Sequence, residues 1–385
     1  MKKNKVLVTG AKGFIGSEIV RFLEKDYEHV YSLENKITRE NEEKRLDSDN
    51  GFQKVFAADI TDREAVLSLE KIGSVDFLVH SAGLAHQFGA TSREDFQKVN
   101  VDGTANVLEL AGKLNVKHFL LISSVSVYGQ TKNPCSDGTD DRLREKTRDI
   151  FTLNLERKPE EKAKKKPKEK TEGNSRGEFG FGAGTDENAV CSPQDFYAES
   201  KLEGENLARR FCRENGIGLT ILRPATVIGE EDKGNFLHLI RAIDRRFFVW
   251  IGKGENHKSL VHREDVARAC AAVLKDEEFE KSEFEVFNVS AESLPMRRIV
   301  EIVAEKLERK IPRVFLPAIF FKTFFRLNAV SFGIGKIKRT EKTIVKWLAD
   351  DVYSAEKIKR VYGFEPQISP EKAIEREVEW YIANK

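Results

Sequence analysis

Tyr197 and Lys201 stand four residues apart in the run Tyr197-Ala198-Glu199-Ser200-Lys201. On a helix that spacing puts a phenol and an ammonium on one face. A phenol titrates near 10 in water, too high for proton transfer at neutral pH. A cation held beside it favours the phenolate. Such a tyrosine can take a proton from an alcohol as a hydride leaves, or return one to a carbonyl as a hydride arrives. A surface pair would show the same spacing, so the reading needs support from elsewhere. Ser123 and Ser124 give some: they end a predicted strand, and a serine there can hydrogen-bond the reacting oxygen.

A hydride needs a carrier. Residues 9–16 read TGAKGFIG, with glycines at Gly10, Gly13 and Gly16. The run follows a short apolar strand and opens a helix, which is the context a dinucleotide turn requires. Gly10 permits the tight turn, Gly13 lets backbone approach a pyrophosphate, and Gly16 allows close packing of helix on strand. Phe14 and Ile15 complete the turn, and the helix N-terminus presents N–H groups and a positive dipole end to the phosphates. An acid is expected about 20 positions further on to bind the adenosine ribose. Glu34 stands there, and its carboxylate would repel a 2′-phosphate, favouring NAD; Lys36 and Arg39 keep NADP open. Asp59 and Ile60, after the third strand, are candidates for the adenine.

The elements that must position these groups alternate. Strands are predicted at 5–9, 30–33, 54–58, 75–80, 118–123 and 219–222, with helices over 14–24, 94–114 and 196–215. Strands alternating with helices predict an α/β fold, a doubly wound parallel sheet of Rossmann type with a smaller C-terminal substrate lobe. The expected domains are residues 1–225 for the dinucleotide and mainly 226–385 for the substrate, some segments of the latter returning to the first. Residues 131–190 break the pattern. Within them 157–170 hold eight basic and three acidic residues, and a Gly-rich run follows. That composition predicts a solvated, mobile insert.

The 385 residues carry 65 Lys plus Arg against 63 Asp plus Glu, so net charge gives no pull toward nucleic acid. Four cysteines without a CxxC pair argue against a disulfide framework and against a zinc site. Cys135 and Cys191 flank the insert and are the one pair left open to a bridge, although cytosolic thiols stay reduced. The N-terminus is no signal peptide and no apolar run is long enough to span a bilayer, so the expected location is the cytoplasm. Residues 311–330 are rich in aromatics, with Lys322 and Arg326 one turn apart. A helix packed in the second lobe would account for them, and so would peripheral membrane contact through 315–326.

Taken together, TGAKGFIG (9–16), HSAGLA (80–85), NVDGT (100–104), SSVSVYG (123–129), YAESK (197–201), LRPATVIG (222–229) and VHREDVA (261–267) resemble the successive landmarks of the extended short-chain dehydrogenase/reductases, the NAD-dependent epimerase/dehydratase group. The segment 351–366 is similar to that family's close. The resemblance implies Ser124, Tyr197 and Lys201 as the catalytic triad, with Lys201 also on the nicotinamide ribose. It implies Ala82, Gly83 and Asn100 along the cofactor, Pro224 near the nicotinamide, and a homodimer. Residues 233–266 look most like those of nucleotide-sugar 4-epimerases and 4-keto reductases of cell-surface polysaccharide synthesis. That places Asn235 at the substrate and puts Lys258 where an arginine often meets the diphosphate. The dehydratases carry a Thr-Asp-Glu run where this chain has Ser124-Val125-Ser126, so water loss is disfavoured.

The leading expectation is hydride transfer at carbon 4 of a nucleotide-activated sugar, with no metal. The alternatives are an oxidoreductase of lipid-like alcohols resembling the 3β-hydroxysteroid group, and a non-enzymatic nucleotide- or RNA-binding member of the fold using the basic insert.

Overall fold

The structure is a computed structural model, and it describes residues 2–35, 53–85, 92–129, 184–275, 284–312, 315–316 and 348–385. Lys36, Arg39, Cys135, the insert up to residue 183 and residues 317–326 lie outside the described residues. All the described elements belong to one compact unit formed by 1–131 and 184–385.

The chain opens with β1 (Lys2–Thr9), α1 (Gly16–Leu23), β2 (Tyr27–Glu34), β3 (Gln53–Ala57), α2 (Arg63–Leu67), β4 (Phe77–His80) and α3 (Arg93–Phe96). It continues with α4 (Gly103–Lys113), β5 (His118–Ile122), α5 (Phe196–Asn215) and β6 (Gly218–Pro224). A later strand, β10 (Phe284–Val289), joins these in a seven-stranded sheet of order β10-β6-β5-β4-β1-β2-β3. Every pairing in it is parallel. Strands such as FLVH and HFLLI are buried along their whole length, as covering by helices on both faces requires. One face packs Val6, Val8, Ile19 and Leu23 against the helix Arg263–Lys275; the other packs Leu7, Leu78 and Phe119 against α4 and α5. The strand order reverses between β1 and β4, which is where ligands enter such sheets. Sequence periodicity found six of the seven strands and missed β10 (FEVFNV).

Sequence predicts one helix over 94–114. The structure interrupts it: α3 passes into a π-helical turn, Gln97–Asp102, before α4 resumes. Single π turns mark functional positions, and this one contains Asn100.

Residues after 226 form a third apolar cluster, in which Phe236, Ile240, Trp250, Ile299, Val303, Ile374 and Val378 meet. It is built from β7 (Thr226–Ile228), α6 (Asn235–Asp244), β8 (Trp250–Ile251), β9 (His257–His262), β11 (Ser293–Pro295), α8 (Met296–Lys306) and α10 (Pro370–Ala383), whereas α7 (Arg263–Lys275) and α9 (Glu356–Tyr362) pack on the main sheet, and a short strand β12 (Phe315–Leu316) follows α8. Strands β11, β9 and β7 form a second small sheet, and β12 pairs with β8. Cys191 is a free, half-buried thiol. Among the described residues no helix is long and apolar enough to cross a membrane.

Candidate active site

The strands of the main sheet deliver their C-terminal ends to one rim. At β1 the chain turns at Gly10, whose φ of +68° and N–H bond to the Leu33 carbonyl at 3.0 Å fix the reversal. A Cβ on Gly10 would lie 2.7 Å from the Ala82 backbone, so only glycine fits. A Cβ on Gly16 would run into the Gly10 carbonyl. The constraint on Gly16 thus comes from the turn itself more than from helix–strand packing. Ile15 precedes α1 and makes no side-chain cap, so the helix N-terminus is not filled by its own side chain. Arg263 lies 5.5 Å over the Phe14 ring.

Glu34 ends β2, is 7% exposed, and sits 3.5 Å from the Lys12 ammonium. Asp59 is exposed just past β3, where its carboxylate accepts the Thr61 N–H at 2.9 Å. The Ile60 carbonyl accepts from Asn106 at 2.8 Å, and its side chain fills the space beside Gly103. Between Gly10 and Asn100 runs a buried chain: Thr9 hydroxyl to His80 Nδ1 at 2.7 Å, His80 Nε2 to Thr104 hydroxyl at 3.1 Å, and Thr104 hydroxyl donating to the Asn100 carbonyl at 2.6 Å. Burial, aided by the nearby Lys201 charge, lowers His80 to about 3, so its ring is neutral.

Asn100 is 4% exposed. Its amide accepts the Leu84 N–H at 2.7 Å and donates to the Leu84 carbonyl and to Ser200 Oγ, each at 3.0 Å. The π turn aims this side chain and thereby ties the 82–84 loop to α5. A Cβ on Gly83 would stand 3.2 Å from both Asn100 Oδ1 and Lys201 Nζ.

Asp195 caps α5 by accepting the Ala198 N–H at 2.9 Å, and the helix presents Tyr197 and Lys201 to the ends of β4 and β5. The Lys201 ammonium donates to the Ile122 carbonyl at 3.0 Å. Ser124 leaves β5 in extended conformation and its hydroxyl accepts the Ser126 N–H at 3.2 Å. The Ser124 side chain also hydrogen-bonds the Tyr197 phenol, so these two residues singled out by sequence meet, with Lys201 held one helical turn on against the Ile122 carbonyl. Burial lowers Lys201 to about 8, opposed by the Glu205 carboxylate. Burial raises Tyr197, with Ser124 pulling it down and Asp195 pushing it up. In the bare protein, then, burial dominates, and the lowering comes from the Ser124 hydroxyl rather than from the cation expected from sequence.

Behind this triad is a group that sequence reading missed. Glu205 is 2% exposed. Its carboxylate accepts from Ser123 Oγ at 2.5 Å and from Arg223 Nε and Nη2 at 2.9 and 2.5 Å. Arg223 stacks 4.8 Å from the Tyr128 ring, and Tyr128 donates to Asn288 at 2.8 Å. One carboxylate thus joins β5, β6 and α5. The available signal was position: Glu205 is four residues past Lys201 on the same helix face. Pro224 is buried beside Arg223 at the end of β6.

The two substrate candidates lie elsewhere. Asn235 is exposed and opens α6. Lys258 is 14% exposed and bonded to Asp351 at 2.5 Å, so its charge is already matched within the chain. Near α6, Glu377 is fully buried beside Asp232. It accepts the Gly229 N–H at 3.0 Å, while Asp232 accepts the Gly234 N–H at 2.8 Å. Burial and the Asp232 charge push Glu377 up to about 9.

A reversing glycine turn at a strand-order switch, with a Ser–Tyr–Lys group on the same rim, defines a dinucleotide-dependent oxidoreductase-type site. A family model described as "NAD dependent epimerase/dehydratase family" matches residues 6–150 and 163–290, and the chain belongs to that family. It is an enzyme of that NAD-dependent family. An N-acetyl-α-D-glucosaminyl-diphospho-ditrans,octacis-undecaprenol 4-epimerase of Escherichia coli O157:H7 is 25% identical, over 81% of this chain and 75% of the relative. A dTDP-glucose 4,6-dehydratase of Escherichia coli K12 is 23% identical over 99% and 93%. The solved structure of MoeE5 in complex with UDP-glucuronic acid and NAD superposes with TM-score 0.66 at 19% identity, over 99% of this chain and 100% of that one.

The residues present fit NAD: the turn is too tight for a side chain at Gly10 or Gly16, Glu34 stands at the end of β2, and Lys201 lies against Gly83.

Proposed function

We propose that this enzyme oxidises carbon 4 of a sugar held through a diphosphate and reduces it again, as a 4-epimerase, or delivers hydride once, as a 4-keto reductase. NAD supplies the hydride acceptor and donor. Tyr197 takes the proton from the sugar hydroxyl or gives it to the ketone. Ser124, bonded to the same phenol, steadies the reacting oxygen. Lys201, fixed by the Ile122 carbonyl, brings its positive charge to that corner and the nicotinamide ribose. Glu34 takes the adenosine ribose, with Asp59 and Ile60 at the adenine. Ala82, Gly83, Asn100 and Pro224 line the cofactor, and residues from 226 form the substrate lobe with Asn235 at its pocket. The observation that carries the reading is the Ser124–Tyr197 hydrogen bond, with Lys201 on the Ile122 carbonyl, on the rim that holds the glycine turn. Ser124-Val125-Ser126 puts no carboxylate where dehydration needs acids, which favours epimerase or reductase over the dehydratases among the relatives.

One observation favours a second form of the substrate. The relative acting on an undecaprenol-linked sugar, together with the sequence FLPAIFFKTFF at 315–325, supports a sugar carried on a polyprenyl diphosphate.

The test is incubation with nucleotide sugars and with polyprenyl-diphosphate sugars, with and without added NAD or NADH, followed by product analysis. Epimerisation without cofactor consumption marks the epimerase; stoichiometric use of NADH marks the reductase. Tyr197→Phe should retain NAD affinity and lose about 10²–10⁴-fold in turnover. Undiminished turnover would refute the role of Tyr197.

A further inference from the structure

Helix α6 ends in a cap whose residues break two local rules at once. The Phe247 N–H reaches back to the Ala242 carbonyl at 2.8 Å and the Arg246 N–H to the Ile243 carbonyl at 3.1 Å, the bonding of a Schellman cap. The left-handed position of such a cap normally holds glycine, because a Cβ is strained there. Here it holds Arg246, with φ +60°. The residue after it usually packs apolar surface back onto the helix. Phe247 is instead 78% exposed. The chain then alternates: Phe248 and Trp250 turn into the core, their rings 5.0 Å apart edge to face, and Val249 points out at 44% exposure.

The surrounding charge is of one sign. Arg241, Arg245 and Arg246 are all exposed, and among the described residues none of them forms an ion pair. Asp244 lies between them but is already matched, to Arg309 at 3.0 Å, to the Tyr381 hydroxyl at 3.0 Å and to Lys385 at 3.3 Å. Arginines in a last helical turn complement the helix dipole, which accounts for Arg241 and Arg245. It accounts neither for a strained Arg246 nor for an exposed Phe247. Both make sense if something outside the fold, apolar within and anionic at its surface, meets them.

We propose that this patch docks on an anionic phospholipid surface, Phe247 and Val249 entering the headgroup layer while Arg241, Arg245 and Arg246 meet lipid phosphates. Aromatic insertion flanked by cations is how peripheral proteins hold such surfaces. The proposal goes beyond the reaction at Tyr197 and suits its lipid-carried form. Asn235 opens the same ten-residue helix, about 15 Å from the patch along its axis.

The test is cosedimentation of the full chain with phosphatidylcholine vesicles, with and without phosphatidylglycerol, across a salt series. The chain should bind only the anionic vesicles and release as salt rises. Arg246→Gly removes the strain as well as the charge, so thermal stability should hold or rise while vesicle affinity falls roughly fivefold, the factor for about 1 kcal/mol per cation. Phe247→Ser should fold normally and lower binding further. Turnover of a soluble nucleotide sugar should be unchanged in both, which separates this outcome from failure of the Tyr197 assignment. Three results overturn the proposal. The wild type may fail to bind anionic vesicles, or both variants bind as the wild type does, placing the contact elsewhere. In the third, without lipid, Phe247→Ser changes the oligomeric state or the protease sensitivity of residues 317–347, placing a second copy or the chain's own segment on the patch.

Discussion

The corner behind the proposed Ser–Tyr–Lys triad and the lobe around α6 treat charge in opposite ways. At the corner, the buried Glu205 carboxylate meets a two-pronged arginine and a serine, and each partner sits on a different element. In the lobe, Glu377 and Asp232 are two acids buried side by side and hydrogen-bonded to each other, each accepting from a backbone N–H rather than from a cation. The corner's geometry is set by opposite charges and does not depend on a proton. The lobe's geometry depends on Glu377 holding one. A reaction centre that must keep a phenol, a hydroxyl and an ammonium in register gains from the first arrangement. The second leaves the lobe around α6 responsive to pH.

The largest test of this contrast is Glu205→Ala. Removing one partner of a buried pair leaves Arg223 uncompensated and should cost about 3–5 kcal/mol in denaturant unfolding. The double replacement Glu205→Leu with Arg223→Met removes both charges at similar volume and should recover most of that loss. A cost below about 1 kcal/mol for Glu205→Ala, the range of an exposed pair, would mean that this carboxylate does not tie the corner together.

At the cofactor edge of the same sheet, Glu34→Arg removes the carboxylate near Lys12 and offers a cation to a 2′-phosphate. Relative binding of NADP over NAD should rise by about tenfold or more, equivalent to about 1.4 kcal/mol. Unchanged preference in equilibrium titrations would remove Glu34 from the ribose.

The smallest effect is expected in the lobe. Burial raises Glu377 from the ordinary 4.5 to about 9, so between those values the folded state holds a proton that the unfolded chain releases. Stability from this group is therefore greatest below about pH 4.5 and falls as pH climbs toward 9. Glu377→Gln keeps an acceptor for the Gly229 N–H and has nothing to titrate. Its melting temperature should exceed that of the wild type by roughly 2–4 °C at pH 8, the shift for about 1 kcal/mol, and by less at pH 5. Equal differences at the two pH values would show that Glu377 is not the protonated acid.

The readability of the molecule varied with the range of its interactions. The glycine turn was legible because a strand, three glycines and a helix are consecutive. Tyr197 and Lys201 were legible because one helix turn separates them. Asn100 was singled out through family resemblance, but the π turn that carries it and its side-chain bonds to Leu84 and Ser200 were not, since no local pattern announces them. Lys258 was read as a free cation for a diphosphate, and its bond to Asp351 was invisible 93 residues away.

The sequence by itself determined the parallel sheet, the dinucleotide turn and the identity of the Ser–Tyr–Lys group, because alternation, glycine spacing and helical pitch are short-range properties of a chain. Only the tertiary structure decided which charges are paired and which side chains are left outside. Glu205 with Arg223, Glu377 under Gly229 148 residues earlier, and Phe247 turned to solvent all follow from where distant segments come to lie. Burial and electrostatic pairing are set by three-dimensional neighbours, and residue order constrains those neighbours only through the completed fold.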